Sequence, residues 1–444
     1  MRLHGTQVIN QQGHLEIGGC DTVELAREFG TPLYIMDEAH IRDTCQQYHR
    51  SFVRGMENAE VIYASKAFLT LAMCRIIEEE GLGLDVVSGG ELYTALQANF
   101  PVKNIYLHGN NKSKEELSMA INSGVGRIVV DNFYEMSLLN DLAKELNQQV
   151  DILLRITPGI EAHTHEYIQT GQIDSKFGFT LSDGTADQAL DLVLDYSNLV
   201  VKGLHAHIGS QIFELDSYRH EVRIMIKYMA SVYARRNCLL QELNLGGGFG
   251  IYYASGDEPA KISDYARTVQ AAVEEACQSL NFPRPKIIVE PGRSIVGTAG
   301  ITLYSIGSIK EIPGIRKYVA VDGGMTDNPR PSLYQARYEA VVANRSNEEA
   351  TETVSITGKC CESGDMLIWD IDLPKINSGD LLAVLSTGAY NYSMSSNYNL
   401  LPRPEVILVK DGHGDVIVKR ETHSDLLRND VLPERLKQVQ IASR

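Results

Sequence analysis

Short apolar runs alternate with amphipathic segments over more than half of the chain, from about residue 38 to residue 290. The amphipathic segments, such as AFLTLAMCRIIEEE, place apolar residues about every 3.6 positions, and this spacing predicts helices. Eight apolar runs predict strands: VIYAS (61–65), GLDVV (83–87), NIYLH (104–108), RIVV (127–130), VDILLRI (150–156), VVKGLHAHI (200–208), QELNLGG (241–247) and KIIVE (286–290). Eight strands with helical crossovers predict a (β/α)8 barrel of the TIM type. A doubly wound open sheet is the alternative, but eight near-equal units favour closure.

A different pattern follows residue 295, where short alternating runs such as KYVAVDGG and PEVILVK are separated by Gly, Asn or Asp. This pattern predicts an all-β domain. Near the N-terminus, TQVINQQGHLEI predicts a hairpin and PLYIMD predicts one more strand. We therefore expect an α/β plus β fold. The barrel is expected over residues 37–295, and the second, all-β domain is expected to combine residues 1–36 with residues 296–444.

The composition narrows the class of partner. A chain of 444 residues is long for one core and favours two domains. Its formal net charge of −16 argues against nucleic acid or an anionic membrane surface as a partner, because both repel an acidic protein. No apolar run reaches the roughly 20 residues that cross a bilayer, and the polar start lacks a signal-peptide core, so we expect a cytoplasmic protein. The seven cysteines form no CxxC pair, which predicts reduced thiols and no zinc ribbon.

The reactive side chains of a (β/α)8 barrel lie at the C-terminal ends of its strands. The first predicted strand ends at Lys66, which is either an ordinary lysine at the strand's lip or a lysine that forms a Schiff base with a carbonyl. The sixth ends in His205-Ala206-His207, and residues two apart on a strand share a face, so both imidazoles are expected to point into the barrel. Such a pair can supply a flat aromatic ring or half of a metal site.

The last two predicted strands end in groups that suit an anion and a ring nitrogen. Gly246, Gly247 and Gly248 would let backbone N–H groups close around a phosphate, although tight turns use glycine too. Glu290 could hold a proton on a ring nitrogen, and Arg293 could bind an anion through two hydrogen bonds. A phosphorylated pyridine aldehyde requires a lysine, an aromatic ring, a glycine loop, an acid and an arginine together.

The segments YASKA, HAHIGSQI, LNLGGGFG and EPGRSIVG resemble the cofactor motifs of pyridoxal-phosphate-dependent decarboxylases of the alanine-racemase-like class. The resemblance implies that pyridoxal 5'-phosphate is the cofactor, bound as a Schiff base by Lys66, with Glu290 at the pyridine nitrogen and His207 stacked on the ring. It also implies supporting roles near the lysine and the ring for Asp85 and Arg155. The implied phosphate contacts are Ser210, Gly247, Gly248, Gly292 and Arg293.

Further segments are similar to the branch of this group that acts on meso-2,6-diaminopimelate, and the similarity runs from about residue 15 to residue 428. They include EAHTHEYIQTGQIDSKFGF (161–179), GMTDNPRPSLYQARYE (324–339), CESGD (361–365) and STGAYNYSMSSNYN (386–399). The resemblance implies that Arg293, Arg330 and Tyr334 hold the distal carboxylate of this substrate. It places Glu362 at the distal ammonium and Tyr390 against both cofactor and substrate.

The segment before CESGD departs from the family pattern, because Gly358-Lys359-Cys360-Cys361 lacks the proline often found there. We assign the proton donor to Cys361, which directly precedes Glu-Ser-Gly-Asp, and expect Cys360 to be a small buried apolar residue. Because the family shares each active site across a two-fold interface, the resemblance implies a homodimer in which Cys361 and Glu362 reach the partner's cofactor. The implied reaction converts meso-2,6-diaminopimelate to L-lysine and CO2, the last step of lysine biosynthesis.

Three other classes of protein share part of this pattern. His205 and His207 are typical of a metal-dependent amidohydrolase, but that class leaves Lys66 unexplained and lacks convincing further ligands, so we expect no metal. A non-catalytic cofactor carrier would need no second domain. A related decarboxylase of arginine, ornithine or carboxynorspermidine is the nearest alternative. A substrate such as ornithine or lysine would call for acidic groups alone at the distal end, whereas this sequence offers two arginines and a tyrosine there.

Overall fold

The strands and helices below come from a computed structural model that describes residues 2–159 and 174–437. Its strands are β1 Val8–Ile9, β2 Leu15–Ile17, β3 Cys20–Asp21, β4 Leu33–Asp37, β5 Ala59–Ala64, β6 Gly83–Val86, β7 Ile105–Leu107, β8 Arg127–Val130, β9 Val150–Thr157, β10 Phe179–Thr180, β11 Leu199–His205, β12 Glu242–Asn244, β13 Lys286–Val289, β14 Gly300–Ile312, β15 Arg316–Val321, β16 Ala340–Val342, β17 Glu352–Thr357, β18 Met366–Leu373, β19 Leu381–Val384, β20 Glu405–Lys410 and β21 His413–Val418. Its α-helices are α1 Thr22–Phe29, α2 Glu38–Tyr48, α3 Leu71–Glu79, α4 Gly89–Gln97, α5 Lys114–Ser123, α6 Phe133–Glu145, α7 Thr185–Leu194, α8 Leu215–Arg236, α9 Ile262–Leu280, α10 Arg293–Val296, α11 Arg330–Tyr334 and α12 His423–Leu426.

Eight parallel strands close into a barrel in the order β5, β6, β7, β8, β9, β11, β12 and β13. Pairing of β13 with β5, where Ile287 faces Ala59, completes the ring. The interior contains a cluster of buried apolar side chains from five strands: Ile62, Tyr106, Val129, Leu153 and Ile288. Their neighbours along the same strands, such as Val61 and Tyr63, belong to the larger core between the strands and the helices. Because both faces are buried, the strands have nearly continuous apolar sequences.

Side-chain caps fix where several barrel helices begin, shortly after a strand has ended. Ser88 accepts a hydrogen bond from the backbone N–H of Glu91 at the start of α4. Helix α5 begins with a capping box in which the side chains of Ser113 and Glu116 each accept from the other's backbone N–H. Such caps hold the strand-to-helix connections at one end of the barrel, which is the end where the candidate site lies.

The second sheet takes its strands from both ends of the chain. Its order is β18, β17, β15, β14, β4, β20 and β21, and β19 pairs with β14 while β16 pairs with β19. Strand β4 runs antiparallel to β14, with Met36 opposite Gly300, and parallel to β20, with Tyr34 opposite Val406. An N-terminal strand therefore lies between two C-terminal strands. Strands β1, β2 and β3 form a separate small antiparallel sheet, in which Val8 faces Glu16.

The predicted fold class is confirmed, because a closed parallel barrel stands beside a separate sheet to which the N-terminal segment contributes. The open-sheet alternative is wrong, since β13 pairs with β5. The domain boundaries at residues 37 and 295 stay predictions. The segment 161–179, on which part of the resemblance rests, lies largely outside the described residues. Among the helices of the described ranges, none is long and apolar enough to cross a membrane.

Candidate active site

A pocket opens at the C-terminal ends of the barrel strands. Its walls are formed by Ala64, Lys66, His207, Ser210, Gly247, Gly248, Phe249, Glu290, Gly292, Arg293, Ser294 and Tyr390. Except for Tyr390, these residues end or follow barrel strands. Tyr390 comes from the connection after β19, and its backbone N–H donates to the carbonyl of Ala67 over 2.9 Å, which ties that connection to the end of β5. The structure thus gathers the nine sequence-predicted cofactor contacts around one cavity.

Lys66 lies in a single 3-10 turn, Ser65–Ala67, directly after β5. The flanking residues Ser65 and Ala67 are buried, whereas the lysine side chain stays accessible from the pocket. Burial by itself would lower the pKa of Lys66, but Tyr390, Asp85 and Glu290 outweigh it and raise the pKa above its ordinary value. The amine is therefore an ammonium at neutral pH, and it must lose a proton before it can attack a carbonyl.

Glu290, directly after β13, is the acid among the described residues that line the pocket. Its Oε1 accepts a hydrogen bond of 2.7 Å from Asn244 Nδ2 and lies 3.0 Å from His108 Nε2. Its Oε2 lies 3.4 Å from His205 Nε2. Burial alone would raise the pKa of Glu290, but the contacts with His108 and His205 outweigh it and hold the pKa well below its ordinary range. A buried carboxylate that stays ionised in this way is suited to hold a proton on a ring nitrogen.

The two histidines of the sixth barrel strand have different surroundings. Burial lowers the pKa of His205 to about 4, so its neutral ring can donate Nε2–H to the Glu290 carboxylate. Burial and the positive charges of Lys66 and Arg155 lower the pKa of His207 well below its ordinary value. The His207 ring lines the pocket, and its Nδ1 accepts from the backbone N–H of Gly247 over 3.3 Å. A neutral imidazole in this position can stack on an aromatic cofactor ring without adding charge.

Glycines let the backbone approach closely on one side of the pocket. A Cβ at Gly247 would lie 2.2 Å from the carbonyl oxygen of Glu290, so only glycine fits there. Gly248 has a φ of +96°, and a Cβ on it would lie 2.4 Å from the carbonyl oxygen of Gly209. Both constraints exclude side chains from the wall and leave backbone groups exposed to the cavity.

Arg293 supplies the positive charge beside these glycines. Its guanidinium donates from Nη2 to Ser210 Oγ over 2.9 Å and from Nη1 to the Tyr253 hydroxyl over 2.7 Å. Its Nε is buried and has no hydrogen-bond partner among the described residues. A buried cation with a spare donor next to a glycine wall fits a phosphate group, so the donor set agrees with pyridoxal phosphate.

A second arginine, Arg330, shares an aromatic neighbour with Arg293. Arg330 is buried, donates to the Tyr338 hydroxyl over 2.5 Å, and lies over the Tyr253 ring at 4.5 Å. The same Tyr253 bonds Arg293, so the two guanidinium groups share one aromatic neighbour. The structure thus places Arg293 and Arg330 on the same tyrosine, and their role in binding substrate stays a prediction. Among the described residues, the guanidinium of Arg330 makes no side-chain hydrogen bond with the half-buried Tyr334, and it donates to Tyr338 instead.

The two supporting residues also lie near the strand ends around Lys66. Asp85 is in register with Ala64 across the β5–β6 pair, and burial raises the pKa of its carboxyl. Arg155 is in register with His205 across the β9–β11 pair. Its guanidinium lies 4.1 Å from the centre of the Phe177 ring. The roles assigned to both residues stay predictions.

Cys361 and Glu362 lie on the second sheet's side of the molecule, in the exposed connection between β17 and β18. The described residues that line the Lys66 pocket include neither of them. Cys360 is half-buried rather than buried, and burial together with the nearby Asp365 carboxylate raises the pKa of its thiol to about 12. Within one chain, the predicted proton donor Cys361 therefore does not lie in the pocket that contains Lys66.

One group of side chains within the described ranges could also hold a cation, namely His108, His205 and Glu290. It includes only one of the two histidines that suggested a metal site in the sequence, since His207 faces the pocket separately. Asn244 already donates to the Glu290 carboxylate, and an amide N–H is a hydrogen-bond donor rather than a metal ligand. The cluster is best explained as the support of Glu290.

Sequence reasoning missed several residues of the site. His108 stands at the end of the third predicted strand, so its position was a usable signal. Asn244 is the last residue of β12. A polar residue at the end of a strand is a weaker signal, because many such residues have no role in a site. Tyr253 and Tyr338 lie outside the barrel strands, and their pairing at a ring separation of 5.3 Å depends on how the two domains meet.

Comparison with known proteins agrees with the class that this fold and pocket define. Residues 38–297 match the family model described as "Pyridoxal-dependent decarboxylase, pyridoxal binding domain". The chain therefore belongs to the pyridoxal-dependent decarboxylases, and it is a carboxy-lyase. This excludes the amidohydrolase and the non-catalytic carrier.

The chain is 54% identical over 431 residues to the diaminopimelate decarboxylase of Bacillus subtilis (strain 168), covering 97% of this chain and 98% of the relative. It is 42% identical over 431 residues to that of Mycobacterium tuberculosis (strain ATCC 25618 / H37Rv), covering 95% of this chain and 96% of the relative. A crystal structure of the M. jannaschii enzyme in complex with L-lysine superposes with a TM-score of 0.91 at 37% identity, covering 97% of this chain and 99% of that one. Within its class the chain belongs to the diaminopimelate decarboxylase family.

Proposed function

We propose that the protein decarboxylates meso-2,6-diaminopimelate to L-lysine and CO2, as the last step of lysine biosynthesis. The observation that carries this proposal is the pair of buried guanidinium groups, Arg293 and Arg330, which share Tyr253 beside the pocket of Lys66. Two cations suit a substrate whose far end bears a carboxylate. The relatives' shared name and the L-lysine in the M. jannaschii complex support the same substrate and product.

Bound pyridoxal phosphate would supply a carbonyl that condenses with amines and a cationic ring that accepts the electrons released with CO2. Lys66 contributes the amine that holds the cofactor, and it must give up a proton to do so. Glu290 holds a proton at the ring nitrogen, supported by Asn244 and His205. The glycine wall and Arg293 hold the phosphate.

The other groups act on the substrate. Arg330 and Arg293 bind the distal carboxylate, and the Tyr338 hydroxyl orients Arg330. In this proposal Tyr334 and Tyr390 also contact the substrate, as the resemblance implies. Glu362 accepts hydrogen bonds from the distal ammonium. Cys361 gives a proton to Cα, the atom that carried the departing carboxylate, and a positioned acid of this kind is typically worth about 10²- to 10⁴-fold in rate.

We further propose that Cys361 and Glu362 act in the partner's site of a homodimer. Both residues lie in an exposed connection outside the Lys66 pocket. Exposed apolar side chains lie on the elements that bond to or follow that connection: Leu333, Trp369, Tyr398 and Leu400. A second set of exposed apolar side chains lies on the barrel helices α3, α4 and α6, which follow the strand ends around the pocket: Leu71, Tyr93, Phe133 and Tyr134. Two exposed apolar surfaces, one at the acid and one at the pocket, fit a two-fold interface that covers both.

The decisive experiment measures CO2 release from meso-diaminopimelate by the purified protein with and without added pyridoxal phosphate. L-lysine, L-ornithine and L-arginine are tested as alternative substrates, each in a separate reaction. We expect CO2 and stoichiometric L-lysine from diaminopimelate alone, in amounts that depend on the cofactor. Release from ornithine or arginine, with none from diaminopimelate, would favour a sister decarboxylase.

The cytoplasmic location and the absence of nucleic-acid and membrane partners stay predictions from the sequence. They are consistent with the chain's formal net charge of −16.

A further inference from the structure

The predicted acid Cys361 is held by a side chain from a distant turn. Asn399 Oδ1 accepts a hydrogen bond of 2.8 Å from the backbone N–H of Cys361, and the two residues are 38 positions apart in sequence. The hydroxyl of the preceding Tyr398 donates to the carbonyl of Cys361 over 3.4 Å. One 3-10 turn, Tyr398–Leu400, thus contacts both polar backbone groups of this cysteine.

The turn that carries Asn399 has an unusual backbone. Asn399 has φ and ψ of 53° and 21°, and Leu400 has a φ of 55°. Left-handed backbone is uncommon for residues other than glycine, and asparagine tolerates it better than most. Asn397 holds the turn from outside, because its Nδ2 donates to the carbonyl of Leu401 over 3.0 Å and to Glu421 Oε2 over 2.6 Å. The side chain of Asn399 is therefore presented to Cys361 by a turn with its own anchor.

The part of the connection that precedes Cys361 is fixed by a different residue. Asp365 is buried, and its Oδ2 accepts the backbone N–H of Cys360 over 2.8 Å while its Oδ1 accepts that of Met325 over 2.6 Å. The backbone N–H of Lys359 donates to the carbonyl of Gly323 over 2.9 Å. These bonds end at residue 360. The first backbone N–H beyond them belongs to Cys361, and Asn399 holds it.

We propose that Asn399 is a positioning residue for proton transfer, which fixes the backbone of Cys361 so that its thiol meets Cα of the substrate. This inference rests on the proposed function and goes beyond it, since it assigns a role to a residue outside the pocket. In the step concerned, the bond between Cα and the carboxylate breaks, CO2 leaves, and the electron pair of that bond, which a bound cofactor ring would delocalise, becomes available for protonation at Cα. The thiol proton then forms the new Cα–H bond, and water returns a proton to the thiolate.

Two substitutions separate the acceptor of Asn399 from its backbone conformation. Asn399→Gly keeps the left-handed turn and removes the acceptor, whereas Asn399→Asp keeps an acceptor oxygen. Asn399→Gly should lower kcat about 3- to 10-fold, the worth of one ordinary hydrogen bond, with KM for diaminopimelate unchanged. The ratio of L-lysine formed to CO2 released should fall below one, because a displaced thiol lets the proton arrive at another atom. Asn399→Asp should restore both kcat and the ratio.

A second measurement is independent of turnover. In the cofactor-free protein, deuterium uptake by the peptide that contains Cys361 should speed up by one amide in Asn399→Gly and return to the wild-type rate in Asn399→Asp. Ser332→Ala is the matched control, because it removes the 2.7 Å bond from Ser332 Oγ to the carbonyl of Gly364 at the other end of the same connection. That variant should keep the lysine-to-CO2 ratio of the wild type.

The results distinguish the two proposals. A wild-type protein that releases no CO2 from diaminopimelate would overturn the proposed function, and this inference with it. An active wild type together with an Asn399→Gly variant of unchanged kcat and ratio would overturn the inference alone. Equal losses in Asn399→Gly and Asn399→Asp would show that only the fold of the turn matters, which also contradicts the proposed role.

Discussion

Asn244 Nδ2 lies 2.7 Å from Glu290 Oε1, so the last residue of one barrel strand holds the acid that follows the next. The imidazole contacts of His108 and His205 hold the pKa of this buried carboxyl well below its ordinary range, so the group stays ionised. The negative charge of Glu290 is essential to its proposed role, because an amide in its place could not stabilise a protonated ring nitrogen.

Glu290→Gln should therefore lower kcat by about 10²- to 10³-fold, the usual cost of removing one preorganised electrostatic group from an active site. Cofactor content, measured from visible absorbance, should stay close to that of the wild type. Glu60→Gln is a suitable control, since Glu60 lies at the opposite end of the barrel strands, where it contacts Lys286 and Tyr106. A Glu290→Gln enzyme with wild-type kcat would remove the acid from the proposed mechanism.

Loading of the cofactor should depend on the protonation of Lys66. Its pKa is raised by Tyr390, Asp85 and Glu290, so the neutral amine is a minor form at pH 7 and increases up to about tenfold per pH unit. Appearance of the visible absorbance band after mixing cofactor-free protein with pyridoxal phosphate should accelerate between pH 7 and pH 9. Lys66→Ala should give neither the band nor turnover. A loading rate that is flat over this range would contradict the assignment.

Sharing of the site between protomers can be tested by mixing two inactive variants. Lys66→Ala and Cys361→Ala each lack one half of the proposed site, and each alone should be nearly inactive. Random exchange makes half of the dimers mixed, each with one intact site of two, so about a quarter of wild-type activity should return. Mass measurement of the mixed dimers is the control. Mixed dimers without activity would mean that Cys361 acts within its own chain or not at all.

The distal carboxylate should be recognised by Arg330. Arg330→Met should lower kcat/KM for meso-diaminopimelate by about 10- to 150-fold, which is the range for losing a hydrogen bond to a charged group. Tyr338→Phe removes the hydroxyl that orients this guanidinium and should cost about 3- to 10-fold. Comparing it with Tyr334→Phe separates the tyrosine bonded in the structure from the tyrosine named by the resemblance. A smaller effect of Tyr338→Phe than of Tyr334→Phe would favour the resemblance.

The free energy of unfolding should change with pH because of Asp327, a buried residue in the connection after β15. Burial raises the pKa of its carboxyl to about 7, although Tyr304 and the backbone N–H of Gly324 donate to it. A raised folded-state pKa means that the folded protein binds the proton more tightly, so the free energy of unfolding falls as pH rises from about 4 to 7. Asp327→Asn should flatten this fall in urea unfolding curves.

The matched control for that experiment is Asp380→Asn. Hydrogen bonds from Arg345 outweigh burial and lower the pKa of Asp380, so its contribution is present above its ordinary pKa and is lost as pH falls. Removing this carboxylate should therefore destabilise the protein most at neutral pH, the opposite sign to Asp327→Asn. Parallel curves for the two variants would show that neither carboxyl controls the pH dependence.

The barrel and much of its pocket could be predicted from the sequence, for a physical reason. Strands buried on both faces have continuous apolar runs, and parallel strands in a closed barrel all end at the same rim. Lys66, His207 and Glu290 are far apart in the chain, yet each follows an apolar run, and their convergence follows from that topology alone.

Other parts of the site depend on geometry that no local pattern encodes. Which neighbour contacts Glu290 depends on the stagger between strands, so His108 and Asn244 were missed although both stand at strand ends. Which of Tyr334 and Tyr338 bonds the Arg330 guanidinium depends on how α11 packs against the barrel. The bond from Asn399 to Cys361 joins two irregular connections, and the sequence offers no periodicity for either.

The central position of β4 has a consequence for how the protein is made. This strand, Leu33–Asp37, leaves the ribosome early, but both of its partners, β14 and β20, come much later, β20 at Glu405–Lys410. At about 5 to 20 residues per second, the nascent strand waits roughly 20 to 70 seconds for β20. Truncated translation products would therefore expose an unpaired apolar strand, which makes them natural clients of chaperones and proteases even when their barrel is complete.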